Sequence, residues 1–216
     1  MNRKAPVVEP PSSAATYLPD RITLPSLRKA AEHCKGCELY KHATQVVFGE
    51  GSVGAKVIFV GEQPGDQEDR AGLPFVGPAG RILDNALNEI ELDRKEVYVT
   101  NAVKHFKWTL AGKRRLHAKP SAREVGACRP WLDAEIRVIQ PRIIVCLGAT
   151  AAQALLGPKF RVTKDRGTLI PNEGGPDILA TVHPSSILRA PDEAARHEAF
   201  ALFVRDLRAV KNALSR

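Results

Sequence analysis

The sequence predicts an α/β protein, a three-layer α/β/α sandwich with a mostly parallel central sheet. Short apolar runs of the length of buried strands recur along the chain, and the clearest are Val57–Val60 and Ile143–Leu147. Longer segments, in which apolar residues repeat at helical spacing, lie between these runs. Strands that alternate with helices are typical of a parallel sheet covered by helices on both faces.

The expected elements follow an N-terminal stretch that is rich in proline and has little apolar periodicity. We interpret residues 1–22 as a flexible tail and residues 23–216 as a single domain. The expected strands, in chain order, are 46–48, 57–60, 97–100, 143–147, a strand and turn within 162–170, and 178–182. The expected helices are 24–40, 78–90, 122–139, 149–156 and a last one that begins at Pro191.

Local signals support the helix boundaries. Pro78 stands in the first turn of its helix, where proline is favoured. Ser121 and Glu124 have the spacing of a capping box for the helix that follows them. Pro130 lies inside that helix, so we expect a kink or a break there.

The charge distribution indicates an anionic partner. The chain of 216 residues has a formal net charge of +8. Between Lys104 and Arg129 there are eight basic residues and a single acidic one, Glu124. Such a local basic patch favours nucleic acid, although a solvated basic face is the alternative.

The sequence shows neither a membrane-spanning run nor an export signal. No apolar run approaches the ~18 residues of a membrane-spanning helix. The N-terminus lacks a signal-peptide pattern, and the chain has four cysteines. We therefore expect a reducing compartment, where clustered thiols bind metals more often than they form disulfides.

Polar residues follow three of the expected strands. The loop Glu62–Asp69 follows the first of them, Asn101 ends the second and His183 follows the last. Because the carboxyl ends of parallel strands share one edge of a sheet, these residues should meet in a pocket. An ordinary surface loop is the alternative. Phe75, between two turn residues, suits either stacking on a flat ligand or packing in the core.

Cys34 and Cys37 form a CxxC pair, which fits zinc, iron–sulfur or redox chemistry. The remaining thiols are Cys128 and Cys146. Counting thiols favours Cys146 as the fourth ligand, but it lies inside a buried strand. Position favours His105 instead, because it stands just beyond a strand.

The run Lys113-Arg114-Arg115-Leu116-His117 lies in the basic insertion. It suits a loop that binds phosphate, with an incidental histidine. The alternative is a reactive imidazole, because neighbouring cations favour the neutral and nucleophilic ring.

Several motifs together resemble the uracil-DNA glycosylase superfamily, in its iron–sulfur family 4 branch. They are GEQPGDQEDRAGLPFVGPAGRIL, YVTNAVKHF, ACRPWL, LGATAA and HPSSILR. The insertion KRRLH, and the glutamine in GEQPG where alanine or glycine is usual, are similar to the UdgX subgroup. That subgroup binds uracil-DNA and becomes covalently trapped on it. The resemblance covers roughly Leu24 to Val210.

The resemblance implies that the protein flips uracil out of DNA, excises it, and is captured covalently at C1′ through His117. The catalytic residues it implies are His117, Glu62, Arg115, His183 and Asp66. The implied substrate-binding residues are Gln63, Gly65, Phe75, Asn101, Ser185 and Arg189. Lys113 and Arg114 are implied to contact DNA. A [4Fe–4S] cluster is implied on Cys34, Cys37, His105 and Cys128, although family 4 enzymes have cysteine where this chain has His105.

Two other functions remain open. One is a conventional family 4 glycosylase with hydrolytic turnover, in which His117 only binds phosphate. The other is a non-enzymatic iron–sulfur module that binds DNA. We expect a cytoplasmic, nucleoid-associated bacterial protein that acts as a monomer, without a membrane partner, on uracil-containing DNA, with single strands favoured because their bases flip most easily.

Overall fold

A six-stranded sheet forms the centre of the computed structural model, which describes residues 13–215. Its strands are β1 (Glu50–Gly51), β2 (Val57–Gly61), β3 (Val97–Asn101), β6 (Ile143–Leu147), β7 (Leu169–Ile170) and β8 (Asp177–Thr181). They are arranged in the order β1-β3-β2-β6-β8-β7. The four central strands are parallel, and the short edge strands β1 and β7 are antiparallel to their neighbours. A separate hairpin consists of β4 (Trp108–Ala111) and β5 (Arg114–His117).

Helices cover both faces of the sheet. They are α1 (Leu24–Ala31), α2 (Asp66–Ala71), α3 (Pro78–Glu89), α4 (Ala122–Ile139), α5 (Ala149–Leu156), α6 (Val162–Asp165), α7 (Pro184–Leu188) and α8 (Glu193–Leu214). Side chains of β2 alternate between the two faces: Val57 and Phe59 pack with α3 and α8, whereas Ile58 and Val60 pack with α4 and α5. This mostly parallel sheet between two helical layers confirms the predicted fold class.

A third apolar cluster lies beside the sheet, and it contains the CxxC segment. Leu27 of α1, Trp131 of α4 and Val103, which follows β3, pack there with Cys34 and Cys128. The predicted helix over 24–40 ends at Ala31, and a short 3₁₀ helix, Glu38–Lys41, replaces its last part.

Part of the predicted tail is packed against the domain. Ala14–Tyr17 forms a 3₁₀ helix capped by Ser13, and Ala14 is fully buried in the third apolar cluster. The contact is close, since a Cβ on Gly36 would lie 2.7 Å from backbone atoms of Ser13 and Ala14. Composition misses this packing because the partners are distant in sequence. The rest of the predicted tail, residues 1–12, lies outside the described residues.

Several predicted elements differ from those observed. Residues 46–48 form no strand, 162–170 contains α6 before β7, and the acidic loop after β2 contains α2. Of the kink or break expected at Pro130, the break is absent, because α4 is continuous through this residue. Pro130 leaves the carbonyl group of Gly126 without its helical donor, and Gly126 is exposed, so water can donate to it.

None of the helices between residues 13 and 215 combines the length and the apolar character that crossing a membrane requires.

Candidate active site

A pocket of about 690 Å³ opens at the carboxyl ends of the parallel strands. Gly61 of β2 is in register with Asn101 of β3, and Leu147 of β6 with Thr181 of β8, so the residues that follow these positions meet at one edge. The predicted site residues that line the pocket are Glu62, Gln63, Gly65, Asp66, Phe75, Asn101, His117, His183, Ser185 and Arg189. The expected convergence of three strand ends is therefore observed.

Phe75 and Asn101 form a flat and polar corner of the pocket. Both side chains are almost fully buried, and the Phe75 ring lies 6.2 Å from the His183 ring at an angle of 30°. Gly61 permits this corner, because a Cβ there would lie 2.3 Å from Asn101 Oδ1 and 2.8 Å from Phe75 Cζ. Phe75 has a φ of 56°, which few non-glycine residues adopt. Within residues 13–215 the Asn101 amide makes no hydrogen bond to protein, so it is available to a ligand.

His183 is a neutral hydrogen-bond donor. Burial lowers its pKa to about 4. The backbone N–H of Ser185 donates to His183 Nδ1 over 3.2 Å, and the Ser185 hydroxyl lies 2.8 Å from the same nitrogen. The proton of the neutral ring is therefore on Nε2. Arg189 Nη1 donates to Ser185 Oγ, so these two residues orient His183 as well as lining the pocket.

Glu62 connects the sheet edge with the basic insertion. Its Oε1 lies 3.3 Å from His117 Nε2, and its Oε2 accepts a hydrogen bond from the Thr150 hydroxyl. Burial raises the pKa of the Glu62 carboxyl, but the hydrogen bonds from His117 and Thr150 outweigh it and hold the pKa below its usual value. Glu62 is therefore an ionised base beside a histidine whose side chain is 48% exposed.

The hairpin that carries His117 is fixed to α2 through Arg115. Arg115 Nε donates to Asp66 Oδ1 over 2.5 Å, and Arg115 Nη1 donates to Asp69 Oδ2 over 2.7 Å. The guanidinium also lies 5.4 Å from the centre of the Phe106 ring. Arg115 and His117 are two residues apart in β5 and face the same side. Arg115 does not line the pocket; it holds the hairpin over it.

Gln63 fastens the base of the same hairpin. Its Nε2 donates to the carbonyl groups of Lys107 and Ala118, each over 3.1 Å, and its Oε1 accepts from Lys107 N over 3.0 Å. These two residues flank β4 and β5 in the chain. The Gln63 side chain thus holds the two ends of the hairpin together. It also forms part of the pocket wall.

The basic window only partly faces solvent. Lys104, expected in the patch, is fully buried, and its Nζ donates to Glu135 Oε2 over 2.6 Å. Lys107 pairs with Glu124, and Arg129 pairs with Asp133. The exposed cations that remain are Lys113, Arg114, Lys119 and Arg123.

Three of the predicted metal ligands lie in the third apolar cluster. Cys34 and Cys128 are buried there, and Cys37 packs against it. Backbone and indole N–H groups point at the sulfurs: Trp131 Nε1 lies 3.3 Å from Cys34 Sγ, and Lys104 N lies 3.3 Å from Cys128 Sγ. Burial raises the pKa of Cys128 to about 12, so a bound cation would be needed to hold it as a thiolate.

His105 and Cys146, the two candidates for the fourth ligand, lie in different surroundings. His105 follows the residue whose N–H contacts Cys128, and burial lowers its pKa to about 4, which keeps the ring neutral. Cys146 packs in β6 among the apolar side chains that face α4 and α5, outside the cluster that holds the other three cysteines. Among residues 13–215, no three His, Cys, Asp or Glu side chains converge on a single ion.

Sequence reasoning did not single out Thr150, Asp69 or the burial of Lys104. Thr150 lies in the LGATAA motif and Asp69 in the acidic loop, but their partners are 88 and 46 residues away in the chain. The sequence signal that could have identified these residues is the presence of polar side chains inside apolar or helical segments.

Comparison with known proteins identifies the family of the chain. The profile of the uracil DNA glycosylase superfamily matches residues 48–208. The chain is 41% identical over 157 residues to the type-4 uracil-DNA glycosylase of Thermotoga maritima, covering 72% of this chain and 78% of the relative. It is 35% identical over 178 residues to the type-4 enzyme of Sulfurisphaera tokodaii, covering 79% and 78%. A type-5 uracil-DNA glycosylase of Pyrobaculum aerophilum is 30% identical over 182 residues and 76% of each chain.

These matches show that the fold is that of a DNA glycosylase. The chain belongs to the uracil-DNA glycosylase superfamily, and its type-4 relatives are in accord with the family 4-like resemblance.

Proposed function

We propose that this chain excises uracil from DNA by cleaving the N-glycosidic bond in the pocket at the sheet edge. The observation that carries the proposal is the grouping of Phe75, Asn101 and His183 around one buried corner. An aromatic face, an amide and an N–H donor match the face, the pairing edge and a carbonyl oxygen of uracil. The relatives that are type-4 and type-5 uracil-DNA glycosylases support the same activity.

Bond cleavage in this pocket separates charge. The C1′–N1 bond breaks, its electron pair leaves with uracil, and C1′ becomes an oxocarbenium ion. His183 Nε2–H is suited to donate to the uracil oxygen that becomes anionic, because the neutral ring keeps that proton on the pocket side. The ionised Glu62 carboxylate stabilises the positive sugar.

We further propose that His117 captures the sugar. If His117 Nε2–H donates to Glu62, the other ring nitrogen carries a lone pair that can form a bond to C1′. The ring then carries a positive charge, which it loses by transferring its Nε2 proton to Glu62, and uracil finally takes up that proton. The N–C1′ bond has no easy leaving path, so each protein molecule reacts once. This proposal rests on the 3.3 Å approach of His117 to Glu62 at the pocket wall.

Hydrolytic turnover is the second candidate, and the relatives favour it over capture, since they are named as glycosylases. In this case Glu62 accepts a proton from a water molecule that attacks C1′. His117 would then bind DNA phosphate beside Lys113 and Arg114, the exposed cations of the hairpin turn. Both candidates use the same excision step and differ only in what reaches C1′.

We also propose a [4Fe–4S] cluster held by Cys34, Cys37, Cys128 and His105. The support is the donor set: three thiols in one apolar cluster, N–H groups directed at two sulfurs, and a neutral buried imidazole nearby. When bound, the cluster would supply a covalent link between the segment after α1, the loop after β3, and α4. These elements also position Asn101 and the base of the hairpin.

One experiment separates the candidates. The protein is incubated with single-stranded uracil-containing DNA, boiled, and analysed on a denaturing gel. Capture predicts a boiling-resistant shifted band, which His117→Ala should abolish and His197→Ala, on the exposed face of α8, should retain. Free abasic DNA with many turnovers per protein would instead establish hydrolysis. Binding with neither product would leave only a DNA-binding module and contradict the proposed excision.

A further inference from the structure

We propose that Thr150 is a positioning residue that fixes the Glu62 carboxylate in the orientation the reaction needs. The inference rests on the proposed excision of uracil, and it holds whether His117 or water takes the sugar. Nothing in the sequence motifs assigns a task to this threonine.

The two oxygens of Glu62 have different partners. Oε2 accepts the Thr150 hydroxyl, and Oε1 faces His117 Nε2. A carboxylate held at only one oxygen can rotate about its last side-chain bond, because that torsion has a broad and shallow minimum. With Oε2 occupied by Thr150, Oε1 is the oxygen that remains directed at the hairpin.

Thr150 is itself rigidly held. It is the second residue of α5, its side chain is buried, and β-branched side chains in helices have few rotamers. The start of α5 is attached to β8 by a hydrogen bond from Gly148 N to the carbonyl group of Thr181. A Cβ on Gly148 would lie 3.1 Å from His183 Cβ. Thr150 therefore fixes Glu62 relative to the same frame that carries His183.

Thr150 is also an uncharged hydrogen-bond donor to Glu62. The titratable groups that face Glu62 are His117 from β5 and His183 from the segment after β8. The Thr150 hydroxyl, by contrast, carries no charge and donates to Glu62 across the whole working pH range. Hydrogen bonds to a carboxylate favour its ionised form, so Thr150 extends to lower pH the range in which Glu62 is a base.

The test compares Thr150→Val, which has the same shape without the hydroxyl, with Thr150→Ser, which keeps the hydroxyl. Single-turnover release of uracil from single-stranded DNA is measured from pH 3 to 8, a range that includes the lowered pKa of Glu62, together with the adduct and the abasic product. Because Glu62 acts in its ionised form, the rate rises with pH through its pKa. Losing a donor raises that pKa, so the acid limb for Thr150→Val should move to higher pH by about one unit. Thr150→Ser should keep the wild-type limb.

The outcomes distinguish this inference from the proposed function. If the wild-type protein releases no uracil, the excision proposal fails. If it does release uracil and Thr150→Val gives a superimposable pH profile, the positioning role is overturned even when the variant unfolds at a lower temperature. A shift that Thr150→Ser shares equally would also overturn it. Should Thr150→Val fail to fold, Thr150→Ala removes the same hydroxyl without adding a methyl group and is judged by the same limb.

Discussion

Replacing Gln63 with alanine tests how the hairpin of β4 and β5 is held over the pocket. The change removes a side-chain amide that donates to the carbonyl groups of Lys107 and Ala118 and accepts from Lys107 N. We expect the hairpin to open more often while the sheet remains intact.

The magnitude follows from the three hydrogen bonds. Each neutral bond contributes about 0.5–1.5 kcal/mol net, and partial exposure lets water replace some of the loss, so opening should become easier by about 1–3 kcal/mol. That corresponds to roughly 5- to 150-fold lower protection of amide hydrogens in β4 and β5. The Arg115 contacts with α2 remain, so the hairpin should not detach permanently.

Hydrogen exchange read by mass spectrometry or NMR measures this change directly. Protection should fall for the amide of Ala118, which donates to the carbonyl group of Lys107 over 2.9 Å, and stay constant in β2 and β6. Gln153→Ala is the matched control, because Gln153 donates to the carbonyl group of Phe160 in the connection after α5. Unchanged protection of the hairpin in Gln63→Ala, or an equal loss in the control, would refute the conclusion that Gln63 holds the ends of the hairpin together.

Three further predictions concern the cluster, the core and the DNA contacts. Cys128→Ser should weaken the brown absorbance near roughly 400 nm that iron–thiolate clusters give, whereas Cys146→Ser should keep it; the reverse pattern in visible spectra would make Cys146 the ligand. Glu135→Gln removes the charge that pairs with a fully buried lysine and should lower the free energy of unfolding by about 3–5 kcal/mol in urea titrations, so a loss below about 1 kcal/mol would contradict the pairing. Changing Lys113 and Arg114 together to glutamine should weaken binding equally to uracil- and thymine-containing single strands and reduce the log–log salt slope by about 1.4, and an unaltered slope would place the DNA elsewhere.

The pocket was predictable from sequence because its logic is local. Each of Glu62, Asn101 and His183 stands at the end of an apolar run, and a parallel sheet brings such ends to one edge. No knowledge of long-range contacts was needed to infer that they meet. The roles assigned to them by resemblance remain proposals that the experiments above address.

The burial of Lys104 and the ion pair between Asp69 and Arg115 were not predictable in this way. In the sequence, Lys104 is one of several cations in the basic window. Its burial depends on an ion pair with Glu135, which lies 31 residues later. In the sequence, Asp69 is one of several acidic residues in a polar loop. Its partner, Arg115, lies 46 residues later, on a hairpin that the sequence of the polar insertion did not predict. A polar side chain becomes an anchor only through its partner, and periodicity carries no information about partners.

The hairpin of β4 and β5 belongs to neither face of the central sheet and pairs only with itself in the described part of the chain. In the proposed mechanism, base recognition lies at strand ends that the fold must preserve, whereas the fate of the sugar depends on a short excursion between β3 and α4. Such an excursion can be lengthened, shortened or exchanged at little cost to the core. If His117 captures the sugar as proposed, replacing this one connection is expected to convert a protein that reacts once with uracil-DNA into an enzyme that turns over, or the reverse.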